Sequence, residues 1–331
     1  LAVFLYAYFG GARAVVWTDA VQGFIFALFI VMTAILSVHW AGGWTAGWQA
    51  ALEAHPDRFV FPVRGAGQYL TLQLLWTFGW ILTPHMWQRA LMARSPRILA
   101  TSMVLAAPLS LWVVTFGGAI VGFMAMGLIP ELPAGVDADS VVALLYNRYL
   151  PAGAVFLAVA TFAAGMSTVD SQLLTTSSIF SLDLYGRYVK RDLPQRRMQA
   201  VGQIFIVVFV LAVLAFTLTP AGGGLLTVLA SQGVGFALQF LPVLIGMTYW
   251  RRATTAGAFW GLLAGFVIML AVEFTGLKAL LPGTAGGAFW GLLVNAVLFV
   301  VLSWMTPPLD RERVERFHGY LDEVFARRGS A

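Results

Sequence analysis

The sequence predicts an all-helical protein that crosses a membrane several times, and three observations lead to this fold class. The mean hydropathy is +0.82. Of the 331 residues, 60% are hydrophobic and only 11% are charged, which leaves too little polar surface to cover a soluble core. Apolar runs of about 20 residues recur, and a helix of that length spans roughly 30 Å of hydrocarbon. We therefore expect an all-α, polytopic membrane protein.

The apolar runs divide the chain into eight full spans, preceded by a partial helix over residues 1–9. The chain begins at Leu1 with no charged leader and no cleavage site, so this start is not a signal peptide. We expect a fragment of a longer protein. The predicted full spans cover residues 20–39, 67–86, 99–128, 153–180, 197–219, 224–250, 256–275 and 285–305.

The basic residues of the connecting segments alternate between two sides of the membrane. One side holds only Arg58, Arg64, Arg148 and Lys278, and the other side holds all remaining arginines and the remaining lysine. Basic residues near span ends stay in the cytoplasm, so the richer side, with the tail, is predicted to be cytoplasmic. This distribution explains the pI of about 9.7 without a nucleic-acid partner.

Glycines at a spacing of four residues predict close contacts between helices. Small residues at this spacing let two membrane helices approach each other closely. No strand or Lys-Ser/Thr pair accompanies them, so they do not form a phosphate-binding loop. The glycines concerned are Gly257, Gly261 and Gly265, Gly287 and Gly291, and Gly118 and Gly122.

A polar stripe runs along the predicted span over residues 153–180. Hydroxyls in a membrane helix commonly bond to their own backbone four residues back or to a neighbouring helix, so helix packing is one interpretation. Hard cations such as sodium prefer oxygen ligands, and two adjacent hydroxyls with a freed carbonyl could supply three. On a helix, one side would carry Thr161, Ala164, Thr168, Ser171 and Thr175, flanked by Ser167 and Ser178.

Asp170 lies in the same span but away from this stripe. A carboxylate at mid-depth in a membrane is costly and is a functional candidate by default. Three interpretations are open: direct contact with an ion, a counter-ion for an arginine elsewhere, or a hydrogen-bond hub.

Four motifs of this chain occur in an order that resembles a known family. They are GGARAVVWTDAVQ (10–22), GWILTPHMWQRALMARS (79–95), AAGMSTVDSQLL (163–174) with SLDLY (181–185), and PVLIGMTYWRRATTAGAFWG (242–261). They are spread over residues 10–261, which is most of the chain. The third is similar to the signature of the sodium/solute symporter family, and the others match segments that adjoin its helices.

The resemblance implies a transporter fold of two inverted five-helix repeats. Residues 20–39 would be the fifth core helix, residues 67–250 would hold the sixth to tenth, and residues 256–305 would be two extra helices. The membrane domain would then be residues 1–306, with a cytoplasmic tail over residues 307–331. The first three core helices and most of the fourth would be absent.

The resemblance also implies where sodium binds. The contacts would come from the Ala164 carbonyl and from the hydroxyls of Ser167 and Thr168, with further ligands from the absent first core helix. Asp19 would stand near the cytoplasmic exit path for sodium. An alternative for Asp19 is a carboxylate at a helix N-terminus, stabilised by backbone N–H groups. Sodium would be the co-transported ion, and no organic cofactor is expected.

The solute would bind near the sixth core helix. Trp76 and Trp80 lie four residues apart, and indole rings form a flat apolar wall with one N–H donor. Gly79 and Pro84 permit a helix break that frees backbone groups for a polar solute. In family members that transport proline, the matching positions hold two aromatic residues and a proline. Gln232 adds an amide from the tenth core helix. The alternative is an aromatic packing face.

These residues predict sodium-coupled symport of a small organic solute across the bacterial inner membrane. No charged residue lies in the span near Trp76, so an amino acid such as proline is the first candidate. A monocarboxylate or a pantothenate-like solute is the alternative, as is a solute-sensing membrane module without net transport. An enzyme is not expected, because the 4 histidines are scattered and no span contains HExxH, GxSxG or a carboxylate pair.

Overall fold

The computed structural model describes residues 2–60, 65–219 and 226–329, and all regular structure among them is helical. Short 3-10 and π-helical segments join or extend several α-helices. The α-helices are α1 (Ala2–Trp40), α2 (Trp44–Ala54), α3 (Ala66–Leu74), α4 (Pro84–Leu91), α5 (Pro96–Ser110), α6 (Gly117–Leu128), α7 (Val141–Tyr149), α8 (Ala154–Ser178), α9 (Gln195–Thr217), α10 (Leu226–Leu238), α11 (Leu241–Tyr249), α12 (Thr255–Phe274), α13 (Gly287–Met305) and α14 (Arg311–Gly329).

Helix α1 is continuous over 39 residues, where the sequence predicts a partial helix over residues 1–9 and a separate span over residues 20–39. It contains no proline, and each interior glycine costs a helix only about 1 kcal/mol. The pair Gly10–Gly11 is therefore not sufficient to end it. The portion Val15–Trp40 is apolar and long enough to cross a membrane.

Seven helices among the described residues are long and apolar enough to cross a membrane, whereas the sequence predicts eight full spans. The difference is the segment over residues 67–86, which is not a single helix. The seven candidates are Val15–Trp40, Pro96–Leu128, Pro151–Val189, Gln195–Thr217, Ala230–Tyr249, Thr255–Phe274 and Gly287–Met305.

The segment over residues 67–86 contains α3, a π-helical turn over Leu75–Gly79 and the start of α4. Between Gly79 and Pro84 the chain forms turns instead of a helix. Pro84 lacks a backbone N–H and disfavours the helical conformation of the residue before it, so a new helix begins there. The predicted helix break is therefore present.

The chain divides into two compact units, and the first contains Leu1–Phe61 and Gln88–Leu225. Inside this unit, α1 packs against α6 and α8. The short helix α7 belongs to the same unit, and its Leu145 and Tyr146 are buried. The hydroxyls of Tyr146 and Thr33 are hydrogen-bonded at 2.9 Å, which ties α7 to α1.

The second unit contains Pro62–Trp87 and Leu226–Ala331. The π-helical turn, α10, α12 and α13 share its apolar core. Each of these elements contributes at least one side chain to the cluster. The interrupted segment over residues 67–86 is therefore packed against α10, α12 and α13 through its buried face. The buried residues are Leu75, Val234, Leu238, Met269 and Ala288.

The predicted glycine seam between α12 and α13 is confirmed. A Cβ atom added at Gly261 would lie 2.9 Å from the Asn295 carbonyl oxygen, and one added at Gly291 would lie 2.5 Å from the Gly265 carbonyl oxygen. Real Cβ atoms do not approach backbone oxygens so closely. The two backbones can touch only because these positions lack side chains.

The same prediction is wrong for Gly118 and Gly122. Within the part of the chain that the structure describes, no atom outside the local helix lies within 4 Å of a Cβ added at either position. The neighbouring Gly117 makes the close approach instead, because its Cβ would lie 2.5 Å from Ile30 Cγ2 of α1. Spacing alone does not show which face of a helix is in contact.

Two buried amides connect the α10–α11 turn to α13. Gln239 is 0% exposed, and its Nε2 donates to the Ala288 carbonyl at 3.2 Å. Asn295 is also 0% exposed, and its Nδ2 donates to the Gln239 carbonyl at 2.6 Å. The second bond satisfies a backbone carbonyl at the helix interruption, where regular helical partners are lost.

The tail forms α14, whose sequence mixes acidic and basic residues. Two pairs at i,i+4 spacing stabilise its exposed surface. Arg311 Nε lies 2.7 Å from Glu315 Oε1, and Arg316 Nη2 lies 3.1 Å from Glu312 Oε1. The cytoplasmic location of this helix remains a prediction.

Candidate functional site

The three oxygens predicted to contact sodium lie within one turn of α8. Ser167 Oγ donates to the Ala164 carbonyl at 2.9 Å, and Thr168 Oγ1 donates to the same carbonyl at 3.4 Å. Both hydroxyl residues are half-buried. Bonds to the helix's own backbone are what the packing interpretation expects. They also hold all three oxygens close together.

The next turn of α8 carries a cluster of charged and polar groups around Arg89. Its Nη2 lies 2.5 Å from Asp19 Oδ2, 2.6 Å from Ser171 Oγ and 3.2 Å from the Ser167 carbonyl oxygen. One guanidinium therefore connects α4, α1 and α8. The Ser167 carbonyl joins this cluster directly to the turn with the predicted sodium ligands.

Asp19 lies in the interior of α1, which begins at Ala2. The alternative role as a helix N-terminal carboxylate is therefore wrong, because no free backbone N–H groups of a first turn lie there. The side chain is 19% exposed. Its Oδ1 atom is buried and has no hydrogen-bond partner among the described residues.

Asp170 is fully buried, at 0% exposure. Its Oδ1 accepts a hydrogen bond from Ser171 Oγ at 3.2 Å, and the same hydroxyl lies 3.3 Å from Asp19 Oδ2. Of the three interpretations drawn from the sequence, this geometry favours a hydrogen-bond hub. Two carboxylates and one guanidinium thus share this region, so their formal charges do not cancel.

The sequence did not identify Arg89 as a partner of Asp19. It lies in the HMWQRALMARS part of a recognised motif, among other arginines assigned to a cytoplasmic loop. One feature of the sequence could have indicated this pair: Asp170 and Asp19 lie in apolar spans, where a carboxylate needs a counter-ion. An arginine at the start of the cytoplasmic loop could provide it. Only the contacts of Arg89 with Asp19 and Ser171 distinguish it from Arg94 and Arg97.

We expect Arg89→Gln to lower stability by about 1–2 kcal/mol, because Asp19 would keep a partly buried charge without a cation. This expected loss of stability is smaller than the loss for a fully buried ion pair, since the Arg89 side chain is 40% exposed. Adding Asp19→Asn should recover part of this loss in a double-mutant cycle of thermal unfolding in detergent. Arg94→Gln, at an exposed arginine of the same motif, is the control. Equal losses for the two arginines, with no recovery, would contradict the ion pair.

The predicted solute residues lie around the π-helical turn of the second unit. The rings of Trp76 and Trp80 have centroids 5.9 Å apart, and Trp80 meets the edge of His85 at 5.7 Å. Trp76 is 42% exposed, whereas Trp80 is half-buried and His85 is buried. The two indoles therefore form a continuous aromatic surface with one open ring.

Gly79 fixes this aromatic surface against α10. A Cβ atom there would lie 2.8 Å from Val234 Cγ1 and 2.9 Å from the Val234 carbonyl oxygen, so only glycine fits. Gln232 lies two residues before Val234 and is half-buried, and Pro84 is the first residue of α4. The sequence did not predict the π-helical turn, a feature that is frequent at functional sites.

A family model, curated proteins and a solved structure each match most of this chain, and all three matches are to transporters. The model of the sodium:solute symporter family matches residues 1–265. The sodium/proline symporter of Escherichia coli K12 is 26% identical over 298 residues, which are 85% of this chain and 58% of that protein. The osmoregulated proline transporter OpuE of Bacillus subtilis 168 is 25% identical over 279 residues, which are 83% of this chain and 56% of that protein.

The chain thus spans a little more than half the length of these curated relatives. A solved structure, the substrate-bound outward-open state of a Na+-coupled sialic acid symporter, matches with a TM-score of 0.70 at 20% identity. The match covers 92% of this chain and 65% of that one. The predicted all-helical transporter fold is confirmed. The relatives described here are transporters, not enzymes.

Proposed function

The chain belongs to the sodium:solute symporter family, and from this premise we propose that the whole protein couples sodium entry to the uptake of a small organic solute. The proposal places it in the cell membrane of a bacterium as a multi-pass protein with its C-terminus in the cytoplasm. The alternation of basic residues along the sequence supports this orientation.

The observation that carries the proposal is the convergence of Ala164 O, Ser167 Oγ and Thr168 Oγ1 on one turn of α8. A hydroxyl that donates its proton to a carbonyl keeps two lone pairs. The hydrogen bonds seen here therefore leave both hydroxyl oxygens able to ligate a cation. The Ala164 carbonyl accepts both of these bonds, and it would join the ligands once the hydroxyls turn their protons away. Sodium needs more than three ligands, and a second segment of the whole protein would supply the others.

Asp19 is the residue to which we assign a role in sodium release. It reaches the α8 cluster within one turn of Ser167, through Arg89 and Ser171. Its buried Oδ1 has no partner among the described residues and can accept a departing cation. Arg89 holds the other oxygen, Oδ2, at 2.5 Å, which keeps the carboxylate oriented. A second carboxylate, Asp170, accepts a hydrogen bond from the same Ser171 hydroxyl.

Sodium entry can drive substantial accumulation of solute. Each sodium that moves through 100 mV contributes about 2.3 kcal/mol, which corresponds to roughly 50-fold accumulation of a neutral solute. Coupling requires that sodium binding stabilise the state that binds solute. In our proposal, sodium bound by the oxygens of α8 stabilises the state that binds solute.

For the solute, we propose an amino acid such as proline, bound near Trp76, Gly79, Trp80, Pro84 and Gln232. The open Trp76 ring offers an apolar wall, and Gln232 of α10 offers an amide for a polar solute. The similarity to proline transporters supports this choice. A monocarboxylate or a pantothenate-like solute is the second choice, because backbone N–H groups can also hold a small anion.

The test is uptake of radiolabelled solutes by vesicles that contain the full-length protein. We expect proline accumulation that requires an inward sodium gradient and falls at least tenfold when choline replaces sodium. Vesicles without the protein provide the control. Uptake that continues unchanged in choline would contradict symport. Solute binding without accumulation would instead favour a sensing module.

A further inference from the structure

A cavity of about 370 Å³ lies where the spans of the second unit end beside the tail helix. Its walls come from α11, the α11–α12 connection, α12, α13 and α14, which all belong to this unit. The connection joins the candidate spans Ala230–Tyr249 and Thr255–Phe274. The cavity therefore lies at the depth where the hydrocarbon of a bilayer gives way to headgroups.

Most of the cavity wall is apolar. On the side of the spans the wall consists of aliphatic and aromatic side chains, and α14 closes it with two more apolar residues. A concave surface of this size and composition is typical of sites for small apolar or amphipathic molecules. The apolar residues that define it are Val243, Met247, Ala258, Phe299, Val314 and Phe317.

The remaining wall is polar and includes two arginines, Arg251 from the α11–α12 connection and Arg313 from α14. His318, Thr254 and Thr255 line the same part. Arg251 lies 3.5 Å from Asp322, but both side chains are more than 60% exposed. An exposed pair of this kind is worth at most about 1 kcal/mol. Arg251 can therefore exchange this partner for another anion at little cost.

Arg313 differs from the other arginines in the described part of α14. Arg311 and Arg316 each pair with a glutamate one turn away. Arg313 makes no hydrogen bond or ion pair among the described residues, and it lines the cavity. The arginine without a partner thus lines the apolar cavity, whereas the two arginines that pair with glutamates do not.

We propose that this cavity binds an anionic phospholipid of the surrounding membrane. An acyl chain would occupy the apolar part between α12, α13 and α14, and the phosphate would face Arg251 and Arg313. Basic pockets at the cytoplasmic ends of membrane helices are suited to anionic headgroups, with about 1 kcal/mol per basic residue. Bound lipid would hold α14 against the membrane unit, so the tail would sense the lipid composition of its leaflet.

The apolar wall and the two arginines of the cavity together distinguish among three kinds of ligand. A free phosphate would use the arginines but leave the apolar wall exposed. A zwitterionic phospholipid would fill the apolar part, but its positive group would oppose the two arginines. Only an anionic lipid satisfies both parts. The proposal does not depend on sodium or solute, so it can fail independently of the transport proposal.

The test is native mass spectrometry of the full-length protein in detergent, titrated with phosphatidylglycerol, phosphatidylcholine or glycerol phosphate. We expect phosphatidylglycerol to bind at least fivefold more tightly than phosphatidylcholine, and glycerol phosphate to bind negligibly. Arg251→Gln with Arg313→Gln should weaken phosphatidylglycerol binding at least tenfold, since 1 kcal/mol per arginine is about fivefold each. Ala258→Phe, which fills the cavity without changing charge, should weaken it as well.

The matched control is Arg311→Gln with Arg316→Gln, which removes the same charge from α14 outside the cavity wall. This variant should bind phosphatidylglycerol like the original protein. Equal weakening by both double variants would overturn the proposal, because it would indicate attraction by net charge alone. Equal affinity for the two phospholipids, competition by glycerol phosphate at similar concentration, or unchanged binding in Ala258→Phe would also overturn it.

Discussion

Replacing Ser167 and Thr168 together by alanine is expected to raise the sodium concentration for half-maximal uptake by about 30-fold. Each hydroxyl would contribute about 1 kcal/mol as a ligand, which is the typical net value of one polar interaction, and 2 kcal/mol corresponds to that factor. The maximal rate at saturating sodium should change much less. The measurement is the sodium dependence of solute uptake by vesicles containing the full-length protein.

The control for this experiment is Thr176→Ala with Ser178→Ala. These hydroxyls also lie on α8 and also donate to carbonyls of their own helix, those of Gln172 and Leu174 at 2.7 and 2.8 Å. The control removes the same chemical groups from the same helix outside the proposed site. If both double variants leave sodium dependence unaltered, the hydroxyls at 167 and 168 serve only packing.

The second large effect is expected from Gly291→Val, which should destabilise the protein by about 3 kcal/mol or more. A Cβ there meets the Gly265 carbonyl oxygen at 2.5 Å and Met269 Cβ at 3.1 Å. A backbone oxygen cannot rotate away, so α12 and α13 would have to separate. Overpacking typically costs 1–3 kcal/mol even where side chains can adjust. Thermal unfolding in detergent would measure the loss.

Gly118→Val is the matched control, because it makes the same change in another membrane helix. A Cβ at Gly118 has no atom within 4 Å outside its local helix. The expected effect on stability is then only the difference in helix propensity between glycine and valine, which is less than about 1 kcal/mol. A loss of stability at Gly118 as large as that at Gly291 would contradict the assignment of the glycine seam to α12 and α13.

Local patterns were sufficient for much of the fold. Runs of apolar residues predicted most of the membrane helices. Pro84 predicted the break after Gly79, because a proline disrupts helical hydrogen bonding at its own position in the chain. The same reasoning placed a boundary between residues 9 and 20, where the structure has one continuous helix, α1. Gly10 and Gly11 weaken a helix but do not end it, and the residues around them are compatible with a continuous helix.

The candidate site could be predicted only where its residues are neighbours in sequence. Ala164, Ser167 and Thr168 lie on one helical turn, so the helix period brings their oxygens together. Asp19 and Arg89 are 70 residues apart along the chain. No periodicity connects positions that far apart, so the ion pair was missed although both residues belong to recognised motifs.

The amino-acid sequence by itself determined the membrane class, most of the membrane helices, the break at Pro84 and the three oxygens of one α8 turn. Hydropathy, backbone chemistry and helix period act over short distances, so local patterns contain them. The tertiary structure alone decided which glycines form the close helix contact, which arginine neutralises Asp19, and that Arg313 lines a cavity under the tail helix. These outcomes depend on which faces of distant segments meet, and composition and spacing do not contain that information.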